Sequence, residues 1–320
     1  MSLPYVALGD SYAAGVGGGA RRSECWRAVE GYPVSVAHSL GLDLAYQGCL
    51  GATIGNVERD QVEALGVETT HVSLTIGGND VGFTPVLIEA AKPSWMSDSD
   101  PLIDDAFAIL RTELQERLAG LLATISARAP DAQVVVTAYP VLFNGEDCNA
   151  LTFFSPHEMG RIKEGVNELA AVIGAVTRDA GAAFVDPRAA FADHAICDGE
   201  EWLNGASWPP EESFHPNPAG HAAYARLVTT GFGEVGDELK PERDVRIVEG
   251  RARRGDAPTF RLPDLLSRQS LDGARRHGLD PDHIADLARQ AEHPAIGPDT
   301  TAAREALQDL DRDVRTRLEE

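Results

Sequence analysis

Short apolar runs bounded by turn residues recur along the first two thirds of this chain. The clearest are residues 5–8, 71–76, 133–139 and 182–185, with a weaker fifth at 43–47. Each has strand length and is rich in Val, Ile, Leu or aromatic residues. Longer segments with helical spacing lie between them, above all 106–129 and 156–180. Strands alternating with helices predict parallel βαβ units, so the fold class is α/β with a sheet covered on both faces. In such sheets ligands collect beyond the carboxyl ends of the strands, beside the point where strand order reverses. Chemistry is therefore expected in the residues that directly follow each strand.

The character of the chain changes near residue 233. Residues 1–233 carry 13 basic and 30 acidic side chains, and the remaining 87 positions carry 15 and 20. Charge density more than doubles, which predicts a domain over 1–233 and a charged, mostly helical extension over 234–320, with 240–244 as linker. Within the extension, Asp280-Pro281 reads as a helix start, followed by Ile284, Leu287 and Ala291 on one face. Ala303, Leu307, Leu310, Val314 and Leu318 form a second stripe, and 261–275 is a third, less regular candidate. These helices are expected to pack on the rest of the chain or on another copy of it, leaving self-association open. A lid or partner-docking role is the sharper alternative, with no residue to distinguish it.

The 320 residues include 28 Lys and Arg against 50 Asp and Glu, a formal net charge of −22. Such an excess counts against nucleic acid, which needs clustered cations, and against an anionic membrane surface. No apolar run approaches the roughly 20 residues of a membrane span. Small neutral or cationic substrates remain. Met1-Ser2-Leu3-Pro4 runs straight into the first strand without a basic and then apolar leader, giving a cytoplasmic protein or a mature form with a new start Met.

The four cysteines, Cys25, Cys49, Cys148 and Cys197, form no Cys-x-x-Cys pair, so no structural metal is expected. They allow three disulfide pairings, and four buried thiols are the other reading. Pairing of chain neighbours, Cys25 with Cys49 and Cys148 with Cys197, would contribute about 3 kcal/mol each and imply an extracytoplasmic location.

Four stretches carry candidate chemistry. After the first strand comes Gly9-Asp10-Ser11-Tyr12, a hydroxyl at a strand-to-helix turn, although Asp10 or Ser11 as a plain helix cap fits equally. After the second comes Gly51, where a backbone N–H can approach a ligand. After the third comes Gly77-Gly78-Asn79-Asp80, whose Asn amide is a neutral donor suited to a developing oxyanion. Far downstream, Glu212-Ser213-Phe214-His215-Pro216 places an imidazole in a proline-bounded loop with a carboxylate three residues earlier. His221 is expected to open a helix as a solvated side chain. Gly15-Val16-Gly17-Gly18-Gly19 lacks the Lys and Ser/Thr of a phosphate cradle and is expected to be a flexible active-site loop. Trp95, Trp202 and Trp208 with Pro209-Pro210 are read either as an acyl-pocket lining or as core and rim packing.

Taken in order, these four stretches resemble the SGNH/GDSL hydrolases. Gly9-Asp10-Ser11-Tyr12 is similar to the Gly-Asp-Ser-Leu block with Tyr for Leu, and Gly77-Gly78-Asn79-Asp80 matches Gly-x-Asn-Asp. Gly51 stands at the block-two position, and 212–216 resembles Asp-x-x-His-Pro with Glu for Asp. Cys25 with Gly31-Tyr32-Pro33, and Cys49 ahead of Gly51, look like the actinobacterial secreted lipases and esterases of that family.

The resemblance implies a three-layer α/β/α, flavodoxin-like sandwich around a parallel sheet, with disulfides Cys25–Cys49 and Cys148–Cys197. It implies a carboxylic-ester hydrolase acting on a small-molecule or lipid ester, with no cofactor. Ser11 would be the nucleophile, His215 the general base, and Glu212 its orienting group through side chain or backbone carbonyl. Ser11, Gly51 and Asn79 would form the oxyanion hole. An acyltransferase using the same Ser–His pair, or a non-catalytic binding module on this scaffold, are the alternatives.

Overall fold

The computed structural model describes residues 2–233, 244–292 and 298–319. Six strands form one sheet: β1 (Tyr5–Gly9), β2 (Leu44–Tyr46), β3 (His71–Thr75), β4 (Gln133–Thr137), β5 (Ala183–Val185) and β6 (Ile247–Glu249). Their order is β5-β4-β3-β1-β2-β6, and every neighbouring pair runs parallel. β1 is buried at all five positions, as an interior strand covered on both faces must be.

Helices α1 (Ser11–Ala14), α2 (Tyr32–Leu40), α3 (Ile54–Asp60), α4 (Phe83–Ala90), α5 (Asp100–Thr112) and α6 (Leu114–Arg128) follow in the first half. α7 (Pro156–Asp179) and α8 (Pro218–Gly231) complete the sandwich. α2 and α8 pack together, while α3 and α7 each pack on α6. The chain leaves β1 for β2 on one side and crosses back to β3 on the other, so the loops after β1 and β3 diverge. That switch point opens the crevice in which the site lies.

The five predicted strands form within a residue or two of their expected ends. Residues 106–129 do not make one helix. The segment divides at Glu113, with no Gly or Pro to mark it, because α5 packs on α4 and α7 whereas α6 reaches α3.

The composition change near 233 is not a break in the sheet. β6 was not predicted; it pairs with β2 through Leu44, Ala45 and Tyr46. Its Ile-Val-Glu is too short and too polar in its surroundings to stand out as a strand. Of the predicted linker, 240–243 lies outside the described residues. The three expected helices follow as α9 (Arg268–Arg276), α10 (Pro281–Ala291) and α11 (Pro298–Glu319), although the first of them starts seven residues later than expected because 261–267 is not helical. Leu265, Ile284, Leu307 and Val314 bury a second core with Trp95, Met96 and Phe153, so the helices pack on this same chain.

Candidate active site

β1 ends at Gly9, whose φ of 130° no L side chain readily adopts and where a Cβ would collide with the Thr75 carbonyl. Buried Gln61 grips it from both sides: the Gly9 N–H donates to Oε1 and Nε2 donates to the Gly9 carbonyl, each at 2.8 Å. Asp10 then caps α1, accepting the Tyr12 N–H at 2.9 Å. Its second oxygen accepts from the Tyr139 hydroxyl at 2.5 Å. Burial pushes the Asp10 carboxyl up to about 7, against the opposing effect of the Tyr139 hydrogen bond. The strand end, the cap and the tyrosine together fix Ser11 as the first residue of α1.

His215 approaches from the other end of the chain. Its Nε2 lies 2.7 Å from Ser11 Oγ, and its Nδ1 lies 2.9 Å from the Ser213 carbonyl. A carbonyl only accepts, so Nδ1 carries the proton and Nε2 is free to accept from the serine hydroxyl. Burial pushes the ring's pKa down to about 4, partly opposed by the Ser213 carbonyl and reinforced by His221. The preceding Phe214 holds φ at 61°, an unusual conformation for a bulky residue that costs about 1–3 kcal/mol and persists only where the surroundings impose it. Contacts with Phe143, Phe154 and Phe260 do so, and the Phe214 carbonyl accepts from Tyr12 Oη at 3.0 Å.

Glu212 is not the group on the ring. Neither its carboxylate nor its carbonyl faces His215 Nδ1; the partner is the carbonyl one residue later. The Glu212 carbonyl instead accepts from Asn204 Nδ2 at 3.3 Å and from the His215 N–H at 3.4 Å. Burial, then Glu211, raises its carboxyl.

The oxyanion candidates line the same cavity as that hydroxyl. Asn79 Nδ2 donates to the Ala52 carbonyl at 2.9 Å, which ties the loop after β3 to the loop after β2 and leaves the second amide hydrogen available. Asp80 reinforces the tie, accepting the Ile54 N–H at 3.1 Å and pairing with Arg117 at 2.6 Å. Gly51 has φ 75°, and among the described residues neither its N–H nor that of Ser11 donates to a protein acceptor. Ser11, Gly51, Asn79 and His215 line one cavity of about 50 Å³, with Phe83, Leu87 and Phe214 as apolar wall.

Sequence reasoning missed Ser213, Tyr139 and Gln61. A backbone carbonyl has no sequence signature, and Gln61 has none. Tyr139 closes a predicted strand run at its carboxyl end, where chemistry was expected; it joins Asp10 to the Gly78 N–H at 3.1 Å. His221 is fully buried rather than solvated. Its Nε2 donates to the Val16 carbonyl at 2.9 Å, and Nδ1 accepts the Tyr32 N–H at 3.4 Å. Gly15, Gly17 and Gly18 are buried, and side chains at Gly15 and Gly17 would clash with Gly31 and the Pro216 carbonyl, so this is a packed turn. Trp95 lies in the second core, Trp202 stacks on His194 and Trp208 is 89% exposed, so of that expected lining only Pro210 borders the cavity. Disulfides join Cys25 to Cys49 and Cys148 to Cys197, as the resemblance implied.

The family model described as "GDSL-like Lipase/Acylhydrolase family" matches residues 7–223, a span that holds all four motif stretches. The chain belongs to this family. It is a carboxylic-ester hydrolase with the α/β/α fold. The chain is 35% identical over 229 residues to a lipase of Streptomyces rimosus, covering 69% of this chain and 84% of the relative. The crystal structure of the extracellular lipase from Streptomyces rimosus superposes with a TM-score of 0.66 at 32% identity, covering 71% of this chain and 98% of that one. That of phospholipase A1 from Streptomyces albidoflavus NA297 gives 0.66 at 31%, covering 72% and 100%. This ester hydrolase thus has a sequence after residue 223 that the family match does not reach.

Proposed function

We propose that this ester hydrolase works through an acyl-enzyme on Ser11. As Ser11 Oγ attacks the ester carbonyl, its proton passes to His215 Nε2, and the new charge on Nδ1–H is met by the Ser213 carbonyl. The tetrahedral oxyanion is shared by the Ser11 N–H, the Gly51 N–H and the free Asn79 amide hydrogen. Collapse breaks the ester C–O bond, and His215 returns the proton to the leaving alcohol. Water then attacks the acyl group with His215 again as base, releasing the acid and the serine.

The observation that carries this reading is the 2.7 Å contact between Ser11 Oγ and His215 Nε2, within reach for direct proton transfer. The apolar lining beside it, and the lipase and phospholipase A1 names of the relatives, support an acyl ester as substrate. The two disulfides and the extracellular lipase among the relatives support an extracytoplasmic location. Among the described residues no helix is long and apolar enough to cross a membrane.

A chain-length series of p-nitrophenyl esters, run on wild type and Ser11→Ala, tests the reading together with mass mapping of an organophosphonate adduct. Turnover abolished in the variant and an adduct on Ser11 are expected. Turnover that survives Ser11→Ala, or an adduct elsewhere, overturns it. Product analysis with added acceptor alcohols separates hydrolysis from acyl transfer.

A further inference from the structure

Residues 250–260 lie beyond the family match, yet they touch both loops of the site. At one end the strap closes on the loop that bears Gly51. The Gly255 N–H donates to the Leu50 carbonyl at 2.9 Å and the Ala257 N–H to the Gly51 carbonyl at 3.3 Å. Contact there is close enough that a Cβ on Gly255 would collide with Gly51. A side chain on Gly51 would in turn meet the Ala257 and Gly255 carbonyls at 3.1 and 3.2 Å. Ala252 packs on Cys25 and Cys49, so the disulfide and the strap hold this loop jointly. Buried Arg27 anchors the strap's start, donating to the Gly250 carbonyl and to the Gly48 carbonyl, each at 2.9 Å.

At its other end the strap reaches the histidine loop. Phe260 is 5% exposed and meets Phe214 edge-on, with ring centroids 4.6 Å apart. Phe214 adjoins His215 and holds the left-handed backbone that aims the imidazole. Pro258, Thr259 and Phe260 also line the cavity that contains Ser11 and His215.

We propose that residues 250–260 form a working wall of the catalytic site, in which Phe260 is a positioning residue for His215 and a limit on the size of the ester group the cavity accepts. This rests on the Ser11–His215 reading. The strap clamps an oxyanion donor at one end and backs the base at the other, so it sets the distance between the parts that must act together. A displacement of about 1 Å in such an arrangement costs on the order of 10² in rate.

The test is the series Phe260→Leu, Phe260→Val and Phe260→Ala in the full chain, each checked for folding by circular dichroism. Readouts are the rate of Ser11 labelling by a small organophosphonate and kcat and KM over the p-nitrophenyl ester series. Phe260→Ala is expected to lower kcat/KM for short acyl chains by about 10–10², mainly through kcat. It should also slow labelling and shift preference toward longer chains, and Phe260→Leu should restore most of the rate. If Phe260→Ala fails to fold, Phe260→Leu and Phe260→Val should give the same effects in graded form. Unchanged labelling, kcat and chain preference in the folded variants overturns the proposal. Absence of Ser11 labelling in wild type sinks the underlying Ser–His reading instead.

Discussion

His215 turns its Nδ1 to the backbone carbonyl of Ser213 at 2.9 Å, and no carboxylate among the described residues hydrogen-bonds to the ring. A main-chain acceptor cannot be removed by substitution, and it brings no charge of its own into the buried loop. Glu212→Gln and Glu212→Ala are therefore expected to keep kcat/KM within about fivefold of wild type, less than about 1 kcal/mol in the barrier. A loss nearer the roughly 10⁴ seen when a triad carboxylate is neutralised would return Glu212 to the machinery.

Asn79→Ala should lower kcat by about 10²–10³ while leaving a folded protein. The same change removes the bond to the Ala52 carbonyl, so a modest loss of stability is expected beside it. Steady-state kinetics paired with urea denaturation separate the two effects, and unchanged kcat would remove the amide from the oxyanion hole.

Because burial pushes His215 down to about 4, the neutral, basic form of the imidazole persists well below pH 6.5. The acid limb of kcat/KM should have its midpoint nearer 4 than 6.5. A limb centred at 6.5 or above would mean that the ring is solvated in the working enzyme.

His221 gives a stability test with the sign fixed. Its folded pKa lies near 4, pushed down by burial from the ordinary 6.5, so between these values the unfolded chain binds a proton that the folded one does not. Its contribution is fully present above about pH 6.5 and is lost as pH falls toward 4. His221→Ala should cost about 1–3 kcal/mol at pH 7, since the Val16 carbonyl and Tyr32 N–H lose their partner. Urea titrations should find that gap closing by pH 4. Using the difference between the two proteins cancels Asp10, which, raised to about 7, contributes with the opposite slope.

Tyr139→Phe removes one hydroxyl that serves both the Asp10 carboxylate and the Gly78 N–H. A loss of about 1–3 kcal/mol in stability is expected, with a fall in kcat as the Ser11 turn and the Asn79 loop lose their link. Thermal denaturation with kinetics on the same sample checks it, and a variant as stable and as fast as wild type would show that the link is dispensable.

The strands were legible because interior positions of a parallel sheet must be continuously apolar, as in Tyr5, Val6, Ala7 and Leu8. The positions of Ser11, Gly51, Asn79 and His215 followed, since they lie just past strand ends or in a proline-fixed loop. What remained hidden depends on backbone and on distant partners. The Ser213 carbonyl leaves no residue-type trace, Gln61 is one glutamine among polar neighbours, and burial of His221 comes from α2 packing over α8. The extension was readable as helices from its stripes, but not as a contributor to the sheet, because three residues of β6 carry too little pattern.

The pairing of β6 with β2 bears on how far this enzyme can be trimmed. Cut back to residue 223, where the family match ends, the protein would leave the ladder of Leu44–Tyr46 with open N–H and carbonyl groups along one rim. Bare rims of that kind recruit strands from other molecules. β6 takes over that edge with only three residues ending in the charged Glu249, a short and charged rim that offers another chain little to pair with.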